Sequence, residues 1–359
     1  MESVGVKLPS AEFWRGKRVL VTGHTGFKGS WLAQWLSRLG ASVAGVALPP
    51  ATEPNLFTLA RIDKLLDGYF CDIRSFDSLI GIIKAVQPEI VFHLAAQPLV
   101  RVGYRMPVET IETNVMGTTY LLEALRTVKS LLVAVLATTD KVYRNREHLR
   151  SFREDDPLGG DDPYSASKAA MEMIVDSYRR SFFDERGVAV ATVRAGNVIG
   201  GGDWSADRLI PDAIRAWSKG EVLRVRRPDA VRPWQHVLEP LCGYLRLAEL
   251  LWDTPCLAGP YNFGPDSRAT VAVRGVVELA RAAYGGGDVA YGDGHEGLHE
   301  AGAIALESTK AKSILGVVPR WVIKTAIERT MRWYQRQAAG EDARRLCEED
   351  FVSYEEQPA

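Results

Sequence analysis

The chain has 359 residues, which is enough for one large domain or two closely packed ones with a substantial apolar core. Apolar residues make up 46% and charged residues 25% of the sequence, a balance that is typical of a globular protein. With a formal net charge of −1 and no apolar run longer than residues 131–137, the sequence indicates neither a nucleic-acid partner nor a membrane span.

Short apolar runs alternate with amphipathic stretches through the first half of the chain. The apolar runs predict six strands, at residues 18–22, 42–48, 69–73, 89–94, 131–138 and 188–194. The amphipathic stretches predict helices at residues 26–39, 75–86, 108–126 and 162–185. Continuous apolar strands that are separated by helices indicate a parallel sheet covered on both faces. The predicted fold class is therefore α/β, with a doubly wound parallel sheet of the Rossmann type.

This alternation ends after Gly196, where glycines and prolines divide the chain into short segments. We predict a helix at residues 237–251, which returns to the sheet, and a short strand at 261–264. The acidic tail from Gly340 is expected to be loosely held. Residues 1–196 are predicted to form a dinucleotide-binding domain with returning segments near 237–264. Residues 197–236 and 265–359 are predicted to form a smaller, mixed substrate-binding lobe.

The cysteines and the N-terminus indicate the compartment. Cys71, Cys242, Cys256 and Cys347 include no CxxC pair, which argues against a zinc cluster or a disulfide framework. They are typical of thiols in a reducing environment. Residues 1–18 carry acidic and polar side chains and no apolar signal core. We therefore expect a cytoplasmic protein that binds no metal.

A glycine-rich loop, Thr22-Gly-His-Thr-Gly-Phe-Lys-Gly29, follows the first strand and opens the first long helix. Such a loop turns tightly, lets the backbone approach a pyrophosphate, and presents the positive end of a helix to it. The alternative, three turn glycines without a ligand, does not account for this strand–loop–helix context. The loop residues that we predict to bind the dinucleotide are Gly23, Thr25, Gly26, Phe27, Lys28 and Gly29.

The tip of the second strand does not identify the dinucleotide. Residues 47–50 contain neither the acid that binds ribose hydroxyls nor an arginine for a 2′-phosphate, and the nearest acid is Glu53. The residues alone therefore leave NAD and NADP open. Asp72 and Ile73, at the end of the third strand, are candidates to contact the adenine, although Asp72 fits a loop cap equally well.

Tyr164 and Lys168 form a YxxxK pair at the start of a predicted helix, where residues four apart share one face. A lysine ammonium close to a phenol lowers the pKa of the phenol, which then exchanges a proton with a substrate hydroxyl. The fifth strand ends beside this pair, so Thr139, Asp140 and Lys141 are expected to face the same pocket. The alternatives are a capping role for Thr139 and a solvated ion pair for Asp140 and Lys141.

Several segments together resemble the extended short-chain dehydrogenase/reductase family, over residues 18–333. They are the 22–29 loop, His93-Leu-Ala-Ala-Gln97, Asn114, the YxxxK pair and Arg194-Ala-Gly-Asn197. Within the family, longer strings are most similar to the group of CDP-glucose 4,6-dehydratases. These strings lie at residues 96–101, 139–141, 194–204, 232–237 and 299–301.

The resemblance implies NAD as a bound hydride carrier and CDP-D-glucose as the substrate. Tyr164 takes the proton of the hydroxyl on sugar carbon 4 while hydride leaves that carbon, and Lys168 supports Tyr164. Asp140 then protonates the hydroxyl that leaves carbon 6 as water is lost across carbons 5 and 6, and hydride returns to carbon 6. The implied product is CDP-4-keto-6-deoxy-D-glucose, which feeds deoxysugar and O-antigen biosynthesis.

One position departs from the better-known dTDP-glucose dehydratases, which have a glutamate after the aspartate as the base at carbon 5. This sequence has Lys141 at that position, and the CDP-glucose group that it resembles also has a lysine there. A lysine acts as a base only if its pKa falls well below about 10.4. Lys141 is therefore either that base or a cation that stabilises the enolate.

The resemblance also implies further binding residues and an oligomer. For the cofactor it implies Leu94, Ala95, Ala96, Gln97, Asn114 and Thr138. For the nucleotide diphosphate and the sugar it implies Arg101, Asn197, Arg208, Arg232, Gln235 and His299. Arginine suits a diphosphate because its guanidinium is permanently charged and donates paired hydrogen bonds. The two long helices are expected to form the interface of a homodimer, or of a dimer of dimers.

Two other functions compete with this interpretation. A dehydratase or 4-epimerase that acts on another nucleotide sugar uses the same loop and the same YxxxK pair, but an epimerase has no need for Asp140 as an acid. A non-catalytic regulator that senses NAD(P) fits the sheet, but it has no use for Tyr164, Lys168 and Thr139 together. The fold alone does not separate these functions.

Overall fold

The computed structural model describes residues 7–145, 150–266, 270–293 and 304–357. Within these ranges, none of the helices is both long enough and apolar enough to cross a membrane.

Seven parallel strands form the central sheet of the described chain. In spatial order they are β11 (Pro260–Phe263), β6 (Ala189–Ala195), β5 (Val133–Ala137), β4 (Ile90–His93), β1 (Arg18–Thr22), β2 (Ser42–Ala47) and β3 (Asp67–Phe70). Thr22 at the end of β1 pairs with Val46 of β2 and with His93 of β4, so these strands end at a common edge. The strand order reverses between β1 and β4, which is where ligands of doubly wound sheets bind.

Helices cover both faces of this sheet, which confirms the predicted α/β doubly wound fold. On one face, Val19 and Val21 pack in a core with α2 (Phe27–Arg38) and α10 (Leu238–Asp253). On the other face, Leu20 packs in a second core with α4 (Phe76–Val86), α7 (Gly117–Leu125) and α8 (Pro163–Tyr178). Successive residues of β1 therefore enter different cores, which explains why the strand is apolar throughout.

The remaining helices are short or belong to the C-terminal half. They are α1 (Ala11–Trp14), α3 (Leu56–Leu59), α5 (Val100–Arg105), α6 (Pro107–Ile111), α9 (Leu209–Ser218), α11 (Val273–Tyr284), α12 (Thr309–Leu315), α13 (Ile323–Ala338) and α14 (Ala343–Glu356). Single 3-10 turns lie at Ile62–Lys64, Asp140–Val142, Asp184–Arg186 and Pro255–Leu257.

Both predicted long helices contain a π-helical segment. The helix predicted at residues 108–126 consists of α6 and α7 joined by the π-helical Glu112–Met116. The one predicted at residues 162–185 consists of α8, the π-helical Arg179–Phe183 and a 3-10 turn. Such π segments are often found at functional sites, and the first of them carries Asn114.

The bounds predicted for the third strand were wrong. The apolar run predicted a strand at residues 69–73, whereas β3 is Asp67–Phe70 and its four residues are exposed at the sheet edge. Backbone pairing with β2, from Ala44 beside Asp67 to Ala47 beside Phe70, sets its register. The buried Cys71 and Ile73 account for the rest of the apolar run, but they lie in the loop that follows the strand.

The part of the chain between β6 and α12 builds three small ladders over the edge of the sheet. They pair β7 (Val198–Ile199) with β10 (Gln235–His236), β8 (Leu223–Val225) with β13 (Val289–Tyr291), and β9 (Val231–Arg232) with β12 (Val271–Ala272). Between β10 and β12, α10 packs on the sheet and β11 pairs with β6.

The tail is not loosely held, contrary to the prediction. Residues 343–356 form α14, whose Leu346, Phe351 and Tyr354 are buried. The ring of Phe351 lies 5.3 Å from that of Trp35 in α2, and the Tyr354 hydroxyl donates to Glu239 Oε2 over 2.9 Å. The glutamates of this helix are exposed or half-buried, whereas Asp350 is buried and accepts from Arg329 Nε over 2.8 Å.

Candidate active site

The described residues form one large cavity at the carboxyl ends of the strands, here called the strand-end cavity. Its volume is about 1110 Å³. The segments after β1, β4, β5 and β6 line one side, and residues 203–212, 223–227 and 232 line the other. This is the edge at which ligands of doubly wound sheets bind. Both predicted ligand sites therefore open into one space.

Most of the residues singled out from the sequence line this cavity. They are Gly23, Thr25, Gly26, Phe27, Lys28, Gly29, Asp72, Ile73, Leu94, Ala95, Ala96, Gln97, Arg101, Thr138, Thr139, Asp140, Lys141, Tyr164, Lys168, Asn197, Arg208 and Arg232. Asn114 and Gln235 lie behind its wall. His299 falls outside the described residues.

Close packing explains the glycines of the first loop. Gly23 has φ +78, and a Cβ built on it would lie 2.7 Å from the backbone nitrogen of Ala95. A Cβ on Gly29 would overlap the carbonyl of Gly23. Gly26 is the N-cap of α2 and provides no capping side chain, which leaves the first-turn N–H groups to an anionic ligand. The loop therefore has the geometry that a pyrophosphate needs.

The polar side chains at the tips of the second and third strands already have hydrogen-bond partners within the chain. At the second tip, Thr25 Oγ1 donates to the carbonyl of Leu48 over 2.8 Å. At the third, Arg74 Nη2 donates to Asp72 Oδ2 over 2.7 Å, and these hydrogen bonds hold the pKa of Asp72 below its usual range. The backbone nitrogen of Arg74 also donates to Asp72 Oδ1 over 2.9 Å. Asp72 thus caps its loop and lines the cavity as well.

Asn114 holds the wall that follows β4. Its Oδ1 accepts from the backbone nitrogen of Gln97 over 2.9 Å, and its Nδ2 donates to Ser167 Oγ over 2.9 Å. The buried amide therefore ties the Leu94–Gln97 segment to α8 from behind. Gln235 is likewise behind the wall, where its Nε2 donates to the carbonyl of Phe263 over 3.0 Å.

Helix α8 brings Tyr164 and Lys168 to the cavity. Asp162 caps this helix by accepting from the backbone nitrogen of Ser165 over 3.0 Å, and Pro163 occupies its first turn. Tyr164 is 8% exposed and Lys168 is 3% exposed. Thr139, which the sequence placed in the same pocket, acts on the Tyr164 hydroxyl and lowers its pKa.

The electrostatics of this pair differ from the expectation that Lys168 lowers the pKa of the phenol. Burial raises the pKa of Tyr164 to about 12, against the smaller opposing effects of Thr139 and Arg208. Burial, followed by the charge of Lys28, lowers the pKa of Lys168 to about 7. The ammonium donates to the carbonyl of Ala137 over 3.1 Å. Desolvation thus dominates both groups.

Asp140 and Lys141 lie in a 3-10 turn that follows β5. Thr139 is the N-cap of this turn, and its Oγ1 donates to Asp140 Oδ1 over 3.0 Å. Lys141 Nζ donates to the same oxygen over 3.3 Å. The Asp140 side chain is 1% exposed, and its Oδ2 has no hydrogen-bond partner among the described residues. A carboxylate is therefore held in the wall with one oxygen available.

The opposite side of the cavity is rich in cations. Arg208 and Arg232 line it together with Arg224, Arg226 and Arg227. Arg101 Nη1 donates to Asp207 over 2.9 Å, so this predicted binding residue is part of an ion pair. His236 is buried, and its ring lies 4.7 Å from that of Trp321.

Arg74 and Glu172 are among the charged residues of this site that were not singled out from the sequence. Arg74 lies in the cavity wall beside Asp72, and Glu172 lies directly beneath Thr138. Glu172 carries a signal that was available, because it follows Lys168 by four residues and Tyr164 by eight. A carboxylate on the buried face of a helix requires partners.

Known proteins are similar to this chain over most of its length. The family model described as GDP-mannose 4,6-dehydratase matches residues 20–252. A CDP-glucose 4,6-dehydratase of Salmonella typhimurium is 45% identical over 92% of this chain and 94% of its own length. A dTDP-glucose 4,6-dehydratase of Xanthomonas campestris is 30% identical, over 88% and 92% of the two chains.

Solved structures of similar fold contain NAD. The dTDP-glucose 4,6-dehydratase of Bacillus anthracis in complex with NAD is 22% identical with a TM-score of 0.75, and the match covers 90% of this chain and 98% of that one. MoeE5 in complex with UDP-glucuronic acid and NAD is 27% identical with a TM-score of 0.76, over 90% and 100% of the two chains.

Proposed function

The chain belongs to the GDP-mannose 4,6-dehydratase family, and we propose that within this family it is a CDP-glucose 4,6-dehydratase. One observation carries the choice of substrate: the 45% identity to the Salmonella enzyme extends over 92% of the chain. Relatives that are dTDP-glucose or GDP-mannose 4,6-dehydratases, by comparison, include proteins that are 26% to 31% identical. The product of the proposed reaction is CDP-4-keto-6-deoxy-D-glucose, a precursor for deoxysugar and O-antigen biosynthesis.

The described residues fit NAD, the cofactor of this family. The Gly23–Gly29 loop has no room for side chains at two of its glycines and opens the N-terminus of α2 to the cavity. In our proposal, this loop holds the pyrophosphate, Asp72 and Ile73 meet the adenine, and the segment Leu94–Gln97 with Thr138 and Lys168 holds the nicotinamide half. When bound, NAD accepts hydride from sugar carbon 4 and returns it to carbon 6.

Tyr164 is proposed to move the proton of the hydroxyl on carbon 4. Thr139, which lowers the pKa of this phenol, lies at the carboxyl end of β5, so the phenol is near the strand end where the substrate hydroxyl is expected. The positive charge of Arg208 lowers the pKa of Tyr164 and opposes the effect of burial. Lys168 stands one helical turn away, on the same side of α8.

Asp140 is proposed to protonate the hydroxyl that leaves carbon 6. The Oδ2 of its buried carboxyl has no hydrogen-bond partner among the described residues, which supports this role, because the acid needs one oxygen that no other group occupies. For Lys141 we favour the electrostatic role. Its ammonium already donates to Asp140 Oδ1 over 3.3 Å. In this role it stabilises the oxygen of carbon 4 while a group other than Lys141 takes the proton from carbon 5.

The arginine-rich side is proposed to bind the nucleotide diphosphate. Arg208 and Arg232 lie across the cavity from the first loop, and Asn197 lines the same cavity after β6, which supports their contact with the phosphates. In this division, residues 1–196 with the returning segments near 237–264 bind NAD. Residues 197–236 and 265–359 bind the nucleotide sugar, with Arg101 and Gln235 at the junction.

We further propose a homodimer that forms through α6, α7 and α8. Apolar side chains are exposed on these packed helices, including Val108 at 68% and Met173 at 60%. Such a patch on a single chain commonly marks association. Sedimentation of the wild type and of the double variant Val108→Asp, Met173→Asp tests this proposal. A wild type that sediments as a monomer at micromolar concentration would contradict it.

The cytoplasm is the proposed compartment. All four cysteines are free thiols, and Cys71, Cys242 and Cys347 are buried without forming a disulfide. This supports a reducing environment.

Incubation of the purified protein with NAD and CDP-glucose tests the proposed function, with dTDP-glucose, GDP-mannose and UDP-glucose in parallel. The readout is the ultraviolet absorbance that 4-keto-6-deoxy sugars show in alkali. We expect a signal with CDP-glucose alone, and none with the Asp140→Asn variant. A signal with another nucleotide sugar instead would overturn the substrate, and an epimerised sugar without that signal would favour the epimerase alternative.

A further inference from the structure

Glu172 is a buried carboxylate that the proposed mechanism does not use. It lies on α8, one turn after Lys168, with 4% of its side chain exposed. It accepts four hydrogen bonds: from Thr138 Oγ1 over 2.5 Å, from Thr192 Oγ1 over 2.7 Å, and from Arg194 Nε and Nη2 over 2.9 Å each. A carboxylate has about four acceptor sites, so Glu172 is fully satisfied in a dry environment.

These four hydrogen bonds connect three elements. Thr138 follows β5 and directly precedes Thr139. Thr192 and Arg194 belong to β6. One carboxylate therefore fastens the helix that carries Tyr164 to two neighbouring strand ends, at the level where the candidate catalytic residues begin.

Arg194 extends this connection to the other end of the catalytic turn. Its Nη1 donates to the Tyr143 hydroxyl over 2.8 Å, and that hydroxyl donates to Asn262 Oδ1 over 2.6 Å. Tyr143 directly follows the turn that holds Asp140 and Lys141. The turn is thus anchored at Thr138 on one side and at Tyr143 on the other, and both anchors lead to the Glu172–Arg194 ion pair.

The charge of Glu172 also acts on Lys168. The groups that face the Lys168 ammonium are Glu172 on its own helix, Lys28 on α2 and His93 on β4. Burial and Lys28 lower the pKa of Lys168, and Glu172 raises it. Burial also lowers the pKa of His93 to about 3, so His93 is neutral near neutral pH. Glu172 is therefore the group that favours the charged form of Lys168.

We propose that Glu172, paired with Arg194, is a positioning residue for the dehydration: it fixes the turn of Thr139, Asp140 and Lys141 against Tyr164, and its negative charge supports the Lys168 ammonium. This inference rests on the proposed function for the identity of the reaction. It adds a residue that touches neither substrate nor cofactor and acts through two groups that do.

Two variants separate the two parts of this role. Glu172→Gln removes the charge and places an amide NH₂ among hydrogen-bond donors. Thr138→Val removes one hydrogen bond and keeps the charge. Glu239→Gln is the matched control, because Glu239 is also buried and also accepts several hydrogen bonds, but far from the cavity.

For Glu172→Gln we expect kcat to fall by about 10²-fold with little change in KM, because the reacting groups are displaced rather than removed. The pH at which Lys168 loses its proton should move lower by about one unit, since a nearby opposite charge is lost. Thr138→Val should lower kcat without this pH shift. Glu239→Gln should change neither kcat nor the pH profile.

The pH dependence of NAD affinity, measured by calorimetry from pH 6 to 9, reports on Lys168 independently of turnover. A wild type that is inactive on every nucleotide sugar would overturn the proposed function, while the calorimetric shift in Glu172→Gln would still test the charge role of Glu172. A folded Glu172→Gln variant with the wild-type kcat and the wild-type pH dependence would overturn the inference. So would an equal loss of kcat in Glu239→Gln, which would indicate a general effect on stability.

Discussion

Replacement of Lys168 by methionine is expected to abolish turnover and to stabilise the fold at the same time. The side chain is buried, and desolvation lowers its pKa from 10.5 to about 7. A lysine with a lowered pKa in the folded state destabilises that state whenever the unfolded chain holds its proton more tightly. Methionine has a similar length and fills apolar space without a charge.

The size of this effect follows from the pKa difference. A pKa difference of about 3.5 between the unfolded and folded states corresponds to ~5 kcal/mol of destabilisation of the folded state by Lys168. This destabilisation is fully present below pH 7 and fades as the pH rises from 7 towards 10.5. At pH 9 only ~2 kcal/mol remains. Loss of the hydrogen bond to the Ala137 carbonyl subtracts ~1–3 kcal/mol at every pH. The net gain should therefore be ~2–4 kcal/mol at pH 6 and close to zero at pH 9.

Urea unfolding of the wild type and of Lys168→Met at pH 6, 7.5 and 9, without added nucleotide, measures this gain. Lys324→Met is the control, because Lys324 is 69% exposed and its replacement should give no pH-dependent gain. Turnover of CDP-glucose by Lys168→Met should be absent. If the variant were less stable than the wild type at pH 6, or if its gain did not shrink by pH 9, burial would not be what lowers the pKa of Lys168.

Three further predictions follow from single positions. Asp140→Asn should lower kcat by ~10²–10⁴-fold while calorimetry shows unchanged NAD affinity, and an unaffected kcat would remove Asp140 from the elimination. Gly201→Ala should lower the free energy of unfolding in urea by ~1–3 kcal/mol, because the new methyl group overlaps the Trp333 ring. Gly81→Ala is the control and should not destabilise the protein, because a methyl group at this position on α4 enters open space. Burial lowers the pKa of His236 to about 3, so below pH 6.5 the unfolded chain binds a proton that the folded ring does not. The folded state therefore has its full stability above pH 6.5 and loses stability as the pH falls. Between pH 7 and pH 5, the free energy of unfolding of His236→Phe should therefore rise by ~2 kcal/mol relative to that of the wild type. Urea midpoints that shift equally in the variant and the wild type over this range would contradict this reasoning.

Local patterns were sufficient to predict the sheet and the first loop. Each strand that enters two cores is apolar throughout, as the run at residues 18–22 illustrates with Val19, Leu20 and Val21. The loop glycines have a steric cause that acts within a few residues. The edge strand β3 was misplaced because its register comes from backbone pairing with β2, which leaves no apolar signature. The tail was misjudged because its partners, such as Trp35, lie far away in the sequence.

The candidate site divides in the same way. Tyr164 and Lys168 share one helix, and Thr139, Asp140 and Lys141 share one strand end, so spacing alone grouped them. Glu172 of α8 and Arg194 of β6 are 22 positions apart in the sequence. Tyr143 and Asn262, whose hydrogen bond continues this connection, are 119 positions apart. No sequence period connects such residues. The cue that remains is a charged side chain on a buried face, which indicates that a partner exists without naming it.

Lys28 shows how the two ligand sites depend on each other. The sequence placed it with the cofactor loop, yet the charges that act on it belong to other segments of the cavity wall: Asp140 and Lys141 after β5, and Asp203 and Arg208. Burial lowers its pKa to about 8, and the charge of Arg208 acts in the same direction. A diphosphate bound at Arg208 offsets that repulsion and favours the ammonium form of Lys28. The cations of the first loop and of the arginine-rich side therefore repel each other until an anion lies between them, and relief of this repulsion contributes to the binding of a nucleotide sugar.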